Sequence, residues 1–199
     1  MFMEDPYQTD QFPDNPDDIF CTPEGSMRGD IMGHIHNEPG QYDHTVSAYI
    51  VNVSGSEAKL LLHLHKRIAK WLQPGGHIEL DENPWHAIER EIAEETGYKM
   101  RQLRVLQPHG AITNFEGSHP LPLSLNTHRY GEDEHYHTDA AYGFLTHELP
   151  DGQIGDGESA KFRWVTLEDM DQIPDEQMPR HTRAIGTAIL SRPERWLAL

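Results

Sequence analysis

Residues 76–98 read GHIELDENPWHAIEREIAEETGY, and the fold turns on this stretch. It predicts a helix with both ends marked. Asn83 suits the N-cap, Pro84 the first helical position, and Gly97 the left-handed position that ends a helix. Trp85, Ile88 and Ile92 recur at i, i+3 and i+7, a stripe that faces a core. Glu91, Glu94 and Glu95 fall at i, i+3 and i+4, within an arc of about 100° at the helical repeat, so three carboxylates leave one side. Like charges so spaced cost a helix roughly 0.2–0.5 kcal/mol per pair. Two readings follow: a solvated face relieved by Arg90 and Lys99, or a seat for a hard cation such as Mg²⁺, which prefers carboxylate oxygen and keeps waters and substrate phosphates.

Outward from the helix, β signals lie on both sides. Residues 44–53 are rich in β-branched and aromatic side chains, Ser54-Gly55-Ser56 is a turn, and Lys59 to His65 is a second apolar run, together an antiparallel hairpin. Pro74-Gly75-Gly76 breaks the chain before the helix, and glycine there lets the backbone turn so that a carbonyl faces a metal. Leu103 to Gln107, Tyr136 to Leu145 and Lys161 to Thr166 read as further strands, and residues 175–191 as a C-terminal helix. Residues 108–134, rich in Gly, Pro, Asn and His, are long enough for a functional loop or for short elements. Strands around a central helix, with another helix at the end, indicate a mixed α/β sandwich. Residues 1–40 differ: Pro6, Pro13, Pro16, Pro23 and Pro39 interrupt regular structure, giving an irregular acidic N-terminal extension ahead of a domain at 41–199.

Composition narrows the function classes. The 199 residues carry 33 Asp and Glu against 16 Lys and Arg, a formal charge of −17. That balance tells against nucleic acid and anionic membranes as partners. It leaves an anionic small molecule only if a cation bridges the like charges. The single cysteine, Cys21, forms no internal disulfide, which suits a reducing compartment. The first twenty residues hold six acids and no Lys or Arg, unlike a secretory leader, and no run approaches the ~20 apolar residues of a membrane span. The expectation is a cytoplasmic protein.

From Gly76 the spacing is G-x5-E-x7-R-E-U-x-E-E-x-G-U, with U bulky and apolar, and it resembles the Nudix box. All seven fixed positions match, which at ~7% per residue arises by chance on the order of 10⁻⁸ per start position. The departure is Tyr98, where the family usually has an aliphatic residue. The resemblance implies a Nudix-type α/β/α sandwich with a mixed sheet over residues 40–190. It implies that Glu82 and Arg90 pair and clamp the loop onto the helix. Glu91, Glu94 and Glu95 take the metal-ligand role beside the Gly76 carbonyl, with Mg²⁺ as cofactor and Mn²⁺ as substitute. The activity it implies is hydrolysis of a diphosphate linkage in a nucleoside diphosphate joined to a moiety X. Glu94 or Glu95 assists the attacking water, and Glu158 is the candidate base outside the box. An inactive nucleotide-binding or regulatory module is the alternative; an isomerase of the isopentenyl-diphosphate type would need a cleft cysteine, whereas Cys21 lies in the extension.

Subfamily markers do not name X: Ile112 stands where ADP-ribose pyrophosphatases tend to have proline, and Thr113, Asn114 and Phe115 where diadenosine-polyphosphate hydrolases tend to have tyrosine. Phe115, Tyr130 and Tyr136 are candidates to stack on a base. A homodimer, common in the family, would find a mediator in residues 1–40. Fourteen histidines include the pairs His34/His36, His63/His65 and His135/His137. On a strand, residues two apart share a face, so a pair joined by a third ligand suits Zn²⁺ or Ni²⁺, with His135, His137 and Asp139 as one such set. The other reading is that they line the sheet or the cleft. His77 and His137 are the candidates for contact with substrate.

Overall fold

Two strands, β1 (Tyr42–Asn52) and β7 (His135–Thr146), form the spine of the computed structural model, running parallel in register from Tyr42↔Tyr136 to Asn52↔Thr146. The structure describes residues 39–112, 115–130 and 135–191, and the backbone of Trp196–Ala198. The extension up to residue 38, with Cys21, His34 and His36, lies outside the described residues, as do Thr113 and Asn114. Each spine strand changes partner along its outer edge. β1 pairs with β2 (Lys59–His65) at Val51↔Leu60 and Asn52↔Lys59, but with β4 (Gly75–His77) at Thr45↔His77, Val46↔Gly76 and Ser47↔Gly75. β7 pairs with β5 (Arg104–Pro108) near its end and with β6 (Ser124–Tyr130) near its start. The mixed sheet is completed by β3 (Lys70–Leu72) and β8 (Phe162–Val165) on β2, and by β9 (Trp196–Ala198) on β5.

Period-two alternation sorts the spine into two cores. Val46, Ala48, Ile50, Ala140, Tyr142 and Phe144 face α1 (Pro84–Thr96), meeting Ala87, Ile88, Ile92 and Tyr98. Tyr49, Val51 and Ala141 face the other way, with Met170 of α2 (Leu167–Gln172), Met178, and Ile189 of α3 (Arg180–Ser191). The result is the expected α/β/α sandwich. Residues 108–134 contain β6, one of the short elements their length allowed; its place was not marked in sequence because Ser124–Tyr130 is mostly polar and its order comes from backbone pairing with β7. The helix expected over 175–191 divides into a 3₁₀ turn at Asp175–Gln177 and α3. Pro179 explains the break: the residue before proline is disfavoured in the α region, and Met178 is extended at φ −142°, ψ 130°.

Candidate active site

The two ends of α1 are built as its sequence predicts. Asn83 accepts hydrogen bonds from the Trp85 and His86 amides at 2.9 Å each, and Gly97 closes the helix at φ 72°. Between them Arg90 is held as a fork. Its Nε and one terminal nitrogen donate to the two oxygens of Glu82 at 2.8 and 2.9 Å, and that same nitrogen reaches the His77 carbonyl at 3.0 Å. The other terminal nitrogen bridges Glu91 Oε1 at 2.8 Å and Glu94 Oε2 at 3.2 Å. One guanidinium thus ties the loop before the helix, the end of β4 and two acids of the carboxylate face. Glu95 turns under β4, where the Gly75 amide donates to its Oε2 at 2.8 Å. Glu91 fills the space above Gly76, where a Cβ would sit 2.2 Å from its Oε1.

The three acids of the face differ in environment. The Glu94 side chain is 53% exposed, whereas those of Glu91 and Glu95 are 12% and 10% exposed. Burial pushes Glu95 well above the usual carboxylate range, the Gly75 amide opposing and Glu91, Glu158 and Glu94 adding to the rise. Burial also raises Glu91, against the pull of Arg90. Glu82 moves the other way, lowered first by its hydrogen bonds from Arg90. Glu158 is exposed on a loop docked on α1, near enough for its charge to act on Glu91 and Glu95: the Gly155 amide donates to the Glu94 carbonyl at 2.7 Å, and the Glu158 amide to the Gly155 carbonyl at 3.1 Å. One guanidinium shared among Glu82, Glu91 and Glu94, with no Lys or Arg on Glu95 among the described residues, leaves three crowded carboxylates on one side short of positive charge, a donor set of oxygens that fits a hard divalent cation.

The sequence matches the family described as NUDIX domain over residues 43–185. The chain belongs to the NUDIX family. A hydrolase of the NUDIX family from Clostridium perfringens is similar at 28% identity and TM-score 0.60, over 75% of this chain and 96% of that one. Two others share the fold: the NUDIX domain of Shewanella oneidensis NrtR complexed with ADP ribose, and a C. elegans Ap4A hydrolase. The first is 18% identical with TM-score 0.57, over 77% of this chain and 89% of that one; the second is 20% identical with TM-score 0.53, over 76% and 95%. No curated protein matches the sequence. As a Nudix hydrolase the chain is an enzyme of the pyrophosphohydrolase class, acting on nucleoside diphosphate derivatives.

A cleft of about 820 Å³ opens beside Gly75 and the first glycine of the Nudix box, Gly76. His77 and His137 line it, as do Tyr130, His128, and His181 of α3, with Arg67, Lys70 and Arg129 adding positive charge. Of the three base-stacking candidates Tyr130 alone lines the cleft, where its ring already stacks on His137 at 4.5 Å; Phe115 is 61% exposed elsewhere, and Tyr136 stacks on Tyr42 at 5.1 Å. His63 and His65 of the second histidine pair also line the cleft, and His63 approaches the box, its Nδ1 3.8 Å from Glu95 Oε1. Asp139 does not join His135 and His137 in a ligand set. It accepts from Thr45 and Ser47 at 3.0 and 2.9 Å and from Asn126 at 3.4 Å. That contact extends a buried chain of hydrogen bonds from Thr182 through Gln73 to Ser47, at 2.7 and 2.8 Å. The residue that does approach the histidines is Asp43, which sequence reading passed over. Asp43, Thr45 and Ser47 alternate along one face of β1, but their spacing alone does not point to His77 or His137, which strand pairing brings alongside. Among the described residues no helix is long and apolar enough to cross a membrane.

Proposed function

We propose that this chain hydrolyses the diphosphate linkage of a nucleoside diphosphate joined to a second moiety, in a Mg²⁺-dependent reaction that Mn²⁺ also supports. The observation that carries this reading is the pair of buried carboxylates, Glu91 and Glu95, packed against Gly76 and Gly75 while Arg90 is held by Glu82. Glu91, Glu94, Glu95 and the Gly76 carbonyl would hold the ion. Bound there, it supplies charge neutralisation and Lewis acidity toward the diphosphate. Arg90 keeps Glu91 and Glu94 aimed, and Gly75 keeps Glu95 aimed. His77, His137 and Tyr130 would receive the nucleoside or its partner moiety, with Arg67 and Lys70 drawing the anion in. In the chemical step a water oxygen bonds to phosphorus, the bridging P–O bond breaks, and the departing phosphate keeps the bridging oxygen. The water's proton passes to a carboxylate, with Glu158 the candidate base and Glu94 or Glu95 assisting.

The test is a screen of nucleoside triphosphates, nucleotide sugars, dinucleotides and oxidised nucleotides with Mg²⁺ or Mn²⁺, products separated by chromatography. At least one is cleaved at a diphosphate, and cleavage stops on chelation. Glu94→Gln and Glu95→Gln each lower the rate by about 100-fold or more; activity that survives both sinks the proposed metal seat. A compound bound tightly and cleaved by no divalent ion would make the chain a binding module instead.

A further inference from the structure

On the sheet face that carries Tyr49 and Val51, away from α1, nitrogen donors gather around one buried carboxylate. Asp43, His77 and His137 each offer a ligand atom within 4.8 Å of the others. The fold makes this meeting unavoidable. The parallel register sets Asp43 beside His137, and β4 lies on the opposite edge of β1 with His77 against Thr45, one position further along the same face. His77 Nε2 is 3.6 Å from Asp43 Oδ2, and the His77 and His137 rings cross edge to face at 5.0 Å. His135 approaches the same Asp43 oxygen at 3.2 Å. Asp43 is 1% exposed and His137 7%, so the carboxylate lies among imidazoles rather than in water.

We propose that Asp43, His77 and His137 form a second metal centre, which takes a divalent ion of the Zn²⁺ class in the cleft wall. Two imidazole nitrogens and one carboxylate oxygen are the donors of Zn²⁺, Ni²⁺ and Fe²⁺ sites, whereas Mg²⁺ selects oxygen alone. At bond lengths of ~2.0–2.2 Å a tetrahedral ion needs donors roughly 3.4 Å apart. The Asp43–His77 separation of 3.6 Å is close to that, all three ligand atoms lie within 4.8 Å of one another, and metal binding draws His137 inward from its stack on Tyr130. His135 serves as the outer partner that fixes the Asp43 carboxylate. His77 and His137 line the cleft, so the fourth position of the ion opens toward it and takes water or an oxygen of the bound compound. The box and this centre share β4, oxygen donors on its Gly76 and nitrogen on its His77, yet neither needs the other. The ion at Asp43 is therefore independent of the hydrolase reading.

The test uses the full chain without a histidine tag, titrated with Co²⁺ in excess Mg²⁺. The expected result is one Co²⁺ per chain with the intense visible spectrum of a tetrahedral site, displaced by one equivalent of Zn²⁺. Asp43→Asn and His137→Gln abolish that spectrum; His109→Gln, an exposed control, leaves it. Glu94→Gln keeps the spectrum while losing Mg²⁺-dependent hydrolysis, which separates failure of this centre from failure of the box. If Asp43→Asn does not fold, His77→Gln, on the half-buried cleft wall, decides. No saturable spectrum in excess Mg²⁺, or one that survives the His77 and His137 substitutions, overturns the proposal.

Discussion

Gly75 and Gly76 are adjacent, but a methyl group on each would meet different obstacles. On Gly75 it would fall 2.1 Å from the Val46 carbonyl oxygen, at a φ of +148° that L residues rarely adopt. Backbone cannot give way there, because Val46 is paired to Gly76 in the sheet. On Gly76 the methyl would fall 2.2 Å from Glu91 Oε1, the far end of a flexible side chain. Gly75→Ala is therefore expected to destabilise the fold by about 1–3 kcal/mol, the usual range for overpacking. Gly76→Ala should melt within a degree or two of the parent yet lose at least about tenfold in hydrolysis, since the displaced carboxylate is one proposed to hold the ion. Thermal melts beside a phosphate-release assay check the split; equal melting temperatures for both variants would contradict it. Tyr98 gives a milder case. It is fully buried and donates to the Glu148 carbonyl at 2.7 Å, an oxygen that Thr146 Oγ1 also reaches at 3.3 Å. Tyr98→Phe then leaves that carbonyl served and costs about 0.5–1.5 kcal/mol in a denaturant titration.

Among the elements, the carboxylate face of α1 is aimed by a fork rather than by a charge alone. Arg90 makes two parallel bonds to Glu82 and a third to the His77 carbonyl, a pattern that a lysine ammonium cannot reproduce. Arg90→Lys should leave the helix intact, because Asn83 and Gly97 cap it independently. It should lower kcat at least tenfold as Glu91 and Glu94 lose their aim; circular dichroism and steady-state kinetics read the two effects, and unchanged kcat would refute the clamp. This helix was legible in sequence because every signal was local: caps at fixed offsets, an apolar stripe, acids on one side. The strands of the hydrophobic core were legible for the same reason. β6 was not, since its residues are polar and a distant strand supplies its order. Asp43 was missed on similar grounds. Its meeting with His77 and His137 depends on strand register between segments far apart in the chain, which no spacing within one segment encodes.

For the molecule as a whole, the charge of −17 sets the background and the cleft departs from it. Arg67, Lys70 and Arg129 stand around a floor of imidazoles, a local reversal that an anion entering an acidic protein requires. Those imidazoles also tie stability to pH. His181 brings α3 across the cleft to stack on His128 of β6 at 4.3 Å, with Asp139 and His137 of β7 beyond. Burial first, and the neighbouring His128 second, push His181 down from 6.5 to about 4. The folded state therefore prefers the neutral ring more strongly than the unfolded chain does. That preference contributes fully above pH 6.5 and is lost as pH falls toward about 4. His181→Phe keeps a ring of similar width but nothing to titrate there. Its melting temperature should fall less steeply than the parent's between pH 6.5 and pH 4, with the two curves nearest in slope above that window. Parallel acid arms would mean that α3 opens and hydrates His181 before the sheet unfolds, because a ring already in water binds its proton without drawing on the stability of the fold.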